Sequence, residues 1–146
     1  MRPDTRHETL RAVSDALYAL RRFERQSGSG DTPACGVTAS QGMLVHEVAL
    51  AGPGGATTSE LAARMGISSS AVTQLVDGCV EAGILERAPD PEDGRRTRIA
   101  LTDHGGRLYA LFDEARLAQA ESLFATLSDA EVGALARLLR KAVNGR

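Results

Sequence analysis

The sequence predicts a mainly α-helical chain that carries one small β-hairpin. Three observations predict it. Apolar residues recur at steps of three and four through most of the length, the spacing of a helical stripe. Thr or Ser is followed three positions later by Gln or Glu at Thr38/Gln41, Thr57/Glu60 and Ser128/Glu131, the mark of a capped helix start. Only "ILERAPDPEDGRRTRIALT", residues 84–102, alternates like strands about a turn-rich centre.

The elements follow in order. A first helix is expected from Asp4 or Thr5, because Leu10, Val13, Leu17, Leu20 and Phe23 form one stripe. The Gly/Ser/Pro-rich "QSGSGDTPACG", residues 26–36, ends it. A second helix starts at the Thr38 cap, is expected to bury Met43, Leu44, Val45, Val48 and Leu50, and stops at "AGPGG". A short third helix follows the Thr57 cap and buries Leu61, Ala62 and Met65. "MGIS" then turns the chain, with glycine at the helix end. Ser68 can cap a fourth helix that buries Ala71, Val72, Leu75, Val76 and Cys79 and ends at Gly83. Helix, tight turn and helix make a helix-turn-helix. The hairpin comes next: Thr97, Ile99 and Leu101 alternate with Arg96, Arg98 and Ala100 on its return strand. A hairpin abutting a helix-turn-helix makes a winged helix. Thr102 caps a helix expected over roughly residues 103–127, and Ser128 caps the last one. The expected order is α-α-α-α-β-β-α-α: a winged helix-turn-helix over 38–102, flanked by helices at 5–26 and 103–144. The flanking apolar faces exceed what so small a unit can use, so both flanks are expected to be dimerisation helices.

Composition narrows the function. A chain of 146 residues suggests one unit. No run of about 18 apolar residues predicts a membrane span, and "MRPDTRHETLRAVSD" has no apolar signal segment, so a cytoplasmic protein is expected. The net charge of −2 argues against a protein coated in positive charge, such as a non-specific chromatin binder, though not against a local basic patch. The three histidines and two cysteines show no metal-ligand spacing. No nucleophile–base pair or Gly-rich phosphate loop appears, so neither enzyme activity nor a cofactor is expected.

"SELAARMGISSSAVTQLVDGCVEAGILER" followed by "DPEDGRRTRIALTDHG" resembles the MarR family of bacterial transcription regulators. The resemblance is close over 57–105, and the flanking helices fit the rest of the chain. Two departures stand out. Gly94 sits inside Asp93-Gly94-Arg95-Arg96, where many members carry Asp-Arg-Arg. Counted back from Leu101-Thr102, Arg95 aligns with a family arginine and Arg96 is extra. Gly78-Cys79 replaces a charged residue and leucine, and Gly78 costs its helix about 1 kcal/mol relative to Ala.

The resemblance implies a homodimer that binds double-stranded DNA, commonly as a repressor released by a small aromatic or phenolic effector. The first turns of the fourth helix, Ser68, Ser69, Ser70, Thr73 and Gln74, would meet the major groove. Hydroxyls and the helix start donate to phosphates, and Gln74 can pair with adenine. The alternative is a cap and a solvated polar face. Arg95, Arg96 and Arg98 are the wing candidates for a narrow minor groove, or they form local pairs with Asp90, Glu92 or Asp93. Asp93 is expected to organise the turn, and Asp77 matches the family acid that pairs with a wing arginine. Residues 57–102 hold five arginines and seven acids, so binding must depend on how charge is arranged. Tyr18, Met43 and His46 are candidates to line an effector pocket, though such residues are more often core; the sequence does not locate the pocket. Cys79 is expected to act as a buried aliphatic. Peroxide-sensing relatives keep a reactive cysteine in the first helix, which has none here, leaving loop Cys35 as the basis of a thiol-based alternative. A second alternative is a winged-helix protein-interaction module without DNA binding.

Overall fold

A computed structural model of the chain describes residues 3–26 and 36–145. Cys35, the loop around it and the Phe23 side chain lie outside the described residues. The elements are α1 (Pro3–Gln26), α2 (Ala39–Ala51), β1 (Ala56–Thr57), α3 (Thr58–Met65), α4 (Ser69–Glu81), β2 (Leu85–Pro89), β3 (Thr97–Leu101), α5 (Asp103–Leu123) and α6 (Asp129–Asn144). The chain forms two compact units, residues 1–105 and 106–146.

Local chemistry sets the boundaries. Thr38, Thr57 and Ser128 each accept a backbone N–H from the residue three later, and the Gln41, Glu60 and Glu131 side chains return to the cap N–H, satisfying donors that a helix start leaves open. Ser68 caps α4 by accepting the Ala71 N–H at 3.2 Å. At the far end of α4, Gly83 takes φ 71°. Its N–H donates to Val80 O, and the Ile84 N–H donates to Cys79 O, each at 2.9 Å. This paired closure stops the helix and turns the chain into β2.

The core of the first unit is made by α2, α3, α4 and the sheet. Leu44, Val48, Leu61, Val72, Val76, Cys79, Leu85 and Ile99 are almost wholly buried. Met43 and Leu50, expected inside, are instead exposed at 58% and 63%. The buried residues of α2 are Leu44, Val45 and Val48, one side of the helix, and Met43 and Leu50 fall off that side.

The sheet has three antiparallel strands in the order β1-β3-β2, one more than the sequence predicts. In β2–β3, Leu85 faces Leu101 and Arg87 faces Ile99; in β1–β3, Ala56 faces Ile99. Two residues are too few to show a strand's alternation, so β1 carries no periodic signal. It exists because Gly55, at φ 64°, lets the chain pass against β3: a Cβ there would lie 2.1 Å from Ile99 O. Gly105 makes a similar approach, its absent Cβ 2.0 Å from Ile84 O, where the Thr102 hydroxyl donates to Gly83 O at 2.6 Å and accepts the Gly105 N–H at 2.9 Å.

In the second unit, α5 ends at Leu123, four residues earlier than expected, and the Leu127 N–H closes a turn on Phe124 O at 2.9 Å. Leu111, Leu117, Leu138 and Val143 remain exposed there, as do Leu10, Val13 and Leu17 on α1. Among the described residues, no helix is long and apolar enough to cross a membrane.

Candidate nucleic-acid interface

The candidate interface is built on α3, the turn and α4. Gly66 closes α3 in the left-handed region at φ 67°, ψ 30°, and the Ile67 N–H returns to Ala62 O at 3.2 Å. Only three residues, 66–68, separate α3 from α4, a turn short enough to hold two helices at a sharp angle. Val72, Val76 and Cys79 bury one side of α4, and Ser69, Ser70, Thr73, Gln74 and Asp77 are exposed along the other. The alternation follows from spacing at three and four.

The hydroxyls of Ser68, Ser70 and Thr73 each have a partner within the helix start. The Ser68 hydroxyl caps the helix and shares a 3.2 Å hydrogen bond with Ser70 Oγ. The Thr73 hydroxyl donates to Ser69 O at 2.9 Å. Asp77 pairs with Arg87 on β2. The pair is largely exposed, at 60% and 39% of the two side chains, so it adds little to stability; its effect is to tie α4 to the wing. The family resemblance implies a wing arginine as partner for Asp77, and that partner, Arg87, stands on the outgoing strand and not at the arginine-rich tip. Arg87, at the end of "ILER", is the residue that reading missed.

The wing tip is a fixed turn. The Asp90 N–H donates to Arg96 O and the Arg96 N–H to Asp93 O, both at 2.9 Å. The Arg95 N–H donates to the Asp93 carboxylate at 3.1 Å, so Asp93 organises the turn through both its side chain and its carbonyl. β3 begins at Thr97, which places Arg95 and Arg96 in the turn, where both are exposed.

Arg98 has a different environment. Its Nε donates to Gly54 O at 2.7 Å, one terminal nitrogen to Gly55 O at 2.8 Å, and the other to Asp90 Oδ2 at 3.1 Å. Glu60 lies 3.6 Å away. One planar guanidinium thus joins the loop before β1, the start of α3 and the wing turn, a use that suits the fixed fork of arginine. Asp90 is only 8% exposed. The Glu92 N–H at 2.9 Å and then Arg98 hold its carboxyl below the usual carboxylate range. The Thr57 N–H, ahead of Arg98, does the same for Glu60. Periodicity puts Arg98 beside Arg96 on one strand face, but it cannot show that two glycine carbonyls from a distant loop wait there.

Gly78 also has a packing role. A Cβ at Gly78 would come 2.6 Å from Nε2 of Gln41, whose Oε1 accepts the Thr38 N–H at 2.9 Å. The missing side chain lets the cap of α2 lie against α4. Burial pushes the Cys79 thiol up from its ordinary pKa, so it is protonated and shielded, as a core residue would be. Tyr18 and Met43 are exposed and His46 is half-buried, so neither of the first two is a core residue.

Comparison with known proteins agrees with this geometry. Residues 36–96 match the model of the MarR family. The putative transcriptional regulatory protein for the hcr operon of Thauera aromatica is 33% identical over 127 residues, 86% of this chain and 72% of that protein. Among solved structures, a MarR family protein from Bacillus stearothermophilus superposes with TM-score 0.78 at 24% identity, covering 95% of this chain and 96% of the other. A mutant of S. aureus MepR bound to an oligodeoxyribonucleotide gives 0.64 at 20% identity, over 91% and 96%. PcaV of Streptomyces coelicolor, in complex with its natural ligand, gives 0.64 at 22% identity, over 86% and 89%. A helix-turn-helix with a wing, matched in sequence to the family and to a regulator over most of both chains, places this chain in the MarR family of transcription regulators.

Proposed function

We propose that a homodimer of this chain binds a near-palindromic operator in the cytoplasm, acts as a repressor, and is released by a small, aromatic or phenolic ligand. One observation carries the DNA-binding part: an exposed polar face on α4 stands in the same unit as a rigid turn that presents Arg95 and Arg96 with no protein partner among the described residues. The α4 face, Ser69, Ser70, Thr73 and Gln74, enters the major groove, and the arginines meet the backbone or the minor groove. Ser68 and Asp93 hold the two loops in shape, and Asp77 ties helix to wing through Arg87. Arg98 serves as a support, since each of its three guanidinium nitrogens already donates to a group within the protein. The MepR structure with bound oligodeoxyribonucleotide supports the nucleic-acid reading, and the PcaV structure supports a ligand. Leu10, Val13 and Leu17 on α1, and Leu138 and Val143 on α6, are exposed apolar residues of the kind a subunit interface covers. A two-fold dimer presents two copies of α4 about 34 Å apart, which asks for two inverted half-sites.

The test is a gel shift on DNA from upstream of the protein's own gene at low salt. Wild type is expected to bind, and Arg95→Ala with Arg96→Ala to lose binding. No shift by wild type would favour a protein-interaction module instead. The ligand is sought by adding small phenolic acids to the bound complex and watching for release.

A further inference from the structure

α4 also bears on which DNA is bound. Direct readout pairs side-chain types with bases. Guanine is most often read by Arg or Lys at O6 and N7, cytosine by a carboxylate at N4, adenine by Gln or Asn at N6 and N7, and thymine by an apolar contact with its methyl. Each option can be checked against this helix.

Residues 67–82 contain no Lys, Arg or His, so the helix that enters the groove has no reader for guanine. The nearest cation before it, Arg64, belongs to α3, the helix that crosses the backbone in this motif. The usual cytosine reader is a free carboxylate. Asp77 is held by Arg87, and Glu81 lies about 18 Å along the axis from Ser69, beyond the first turns that meet base edges. Gln74 is exposed, and its amide has no partner among the described residues. Thr73, beside it, is exposed too, but its hydroxyl proton is spent on Ser69 O. While that bond holds, Oγ1 cannot donate to guanine O6 or N7. What it still offers the groove is the γ-methyl and an oxygen that can only accept. The serines discriminate little, because a hydroxyl can serve several base edges.

We infer that α4 reads A·T base pairs in the major groove, with the Gln74 amide on adenine and the Thr73 methyl on thymine. This rests on the DNA-binding reading above and names the class of half-site it takes. Arg95 and Arg96 contribute affinity but no identity at these positions, since they meet phosphates or the minor groove and not the major-groove base edges that α4 contacts.

The test begins with a pool of duplexes carrying about 20 randomised base pairs, selected with the full-length protein and sequenced. The enriched half-sites are expected to share A·T pairs at adjacent positions. Changing the Gln74-dependent A·T to G·C should weaken wild type by roughly 5- to 150-fold, and Gln74→Ala should abolish that preference. Replacing the contacted thymine by uracil removes one methyl and should weaken wild type by about fourfold. Thr73→Val, which keeps the methyl, should retain this sensitivity, and Thr73→Ser, which lacks it, should not. Circular dichroism of each variant checks that the helix is intact. Enriched sites with G·C at the positions that respond to Gln74 or Thr73, or a preference unchanged by Gln74→Ala, would overturn the assignment while leaving DNA binding in place. A pool with no enrichment and no binding at low salt would overturn DNA binding itself, and this inference with it.

Discussion

The four arginines of the hairpin are predicted to separate in their salt response. Arg87 is paired with Asp77, and Arg98 is bonded to Gly54, Gly55 and Asp90. In the proposed complex Arg95 and Arg96 neutralise phosphates, two per protomer and four in the dimer. Each neutralised phosphate adds about −0.9 to the slope of log affinity against log salt, so the tips supply about −3.6. Between about 50 and about 200 mM salt, a fourfold rise, that amounts to roughly 150-fold in affinity. Arg95→Ala with Arg96→Ala should therefore flatten the slope by about 3.6, with the gap from wild type widest at low salt. Arg98→Met should weaken binding by loosening the wing yet leave the slope unchanged, because its charge is already neutralised within the protein. Fluorescence anisotropy with a labelled duplex over a salt series measures both. A slope flattened by Arg98→Met as much as by the double variant, or untouched by the double variant, would refute the division into contact and support.

Gly55 and Gly66 share a left-handed φ, of 64° and 67°, but only Gly55 faces a carbonyl where a Cβ would go. Gly66→Ala should cost about 1–2 kcal/mol for the conformation alone, and Gly55→Ala a further 1–3 kcal/mol for overpacking; urea unfolding compares them, and equal losses would contradict the close approach. Leu61→Ala, at a wholly buried position, should cost about 2–5 kcal/mol by the same measurement. Glu60 carries a lowered carboxyl pKa, chiefly through the Thr57 N–H; desolvation opposes this, and Arg98 adds a smaller lowering. Its contribution is complete above its ordinary value of 4.5 and is lost as pH falls through the lower folded value. Glu60→Gln, which can still return to the cap, should make acid unfolding below that point shallower; an unchanged acid limb would count against the interaction.

Much of the fold is legible along the chain because its signals are local. Thr38/Gln41, Thr57/Glu60 and Ser128/Glu131 sit within one helical turn, so their reciprocal caps need no distant partner. The spacing of Val72, Val76 and Cys79 likewise declares which side of α4 is buried. The turn at Asp93 is equally local. From such signals alone the sequence determines the helix-turn-helix, the hairpin, the polar face with Gln74, and the exposed tip with Arg95 and Arg96.

The tertiary structure decides what depends on groups far apart in sequence. It adds β1, which exists only where Gly55 meets Ile99. It gives Asp77 to Arg87, ten residues away, and assigns the Arg98 guanidinium to carbonyls more than forty residues earlier. It also explains Gly78, whose empty Cβ position is filled by Gln41 from another helix. Strand alternation reports only which way a side chain points. Which donor is spent within the protein is set by the neighbours folding brings to it, and that distinction separates Arg98, bonded at all three nitrogens, from Arg95 and Arg96, which have no protein partner among the described residues.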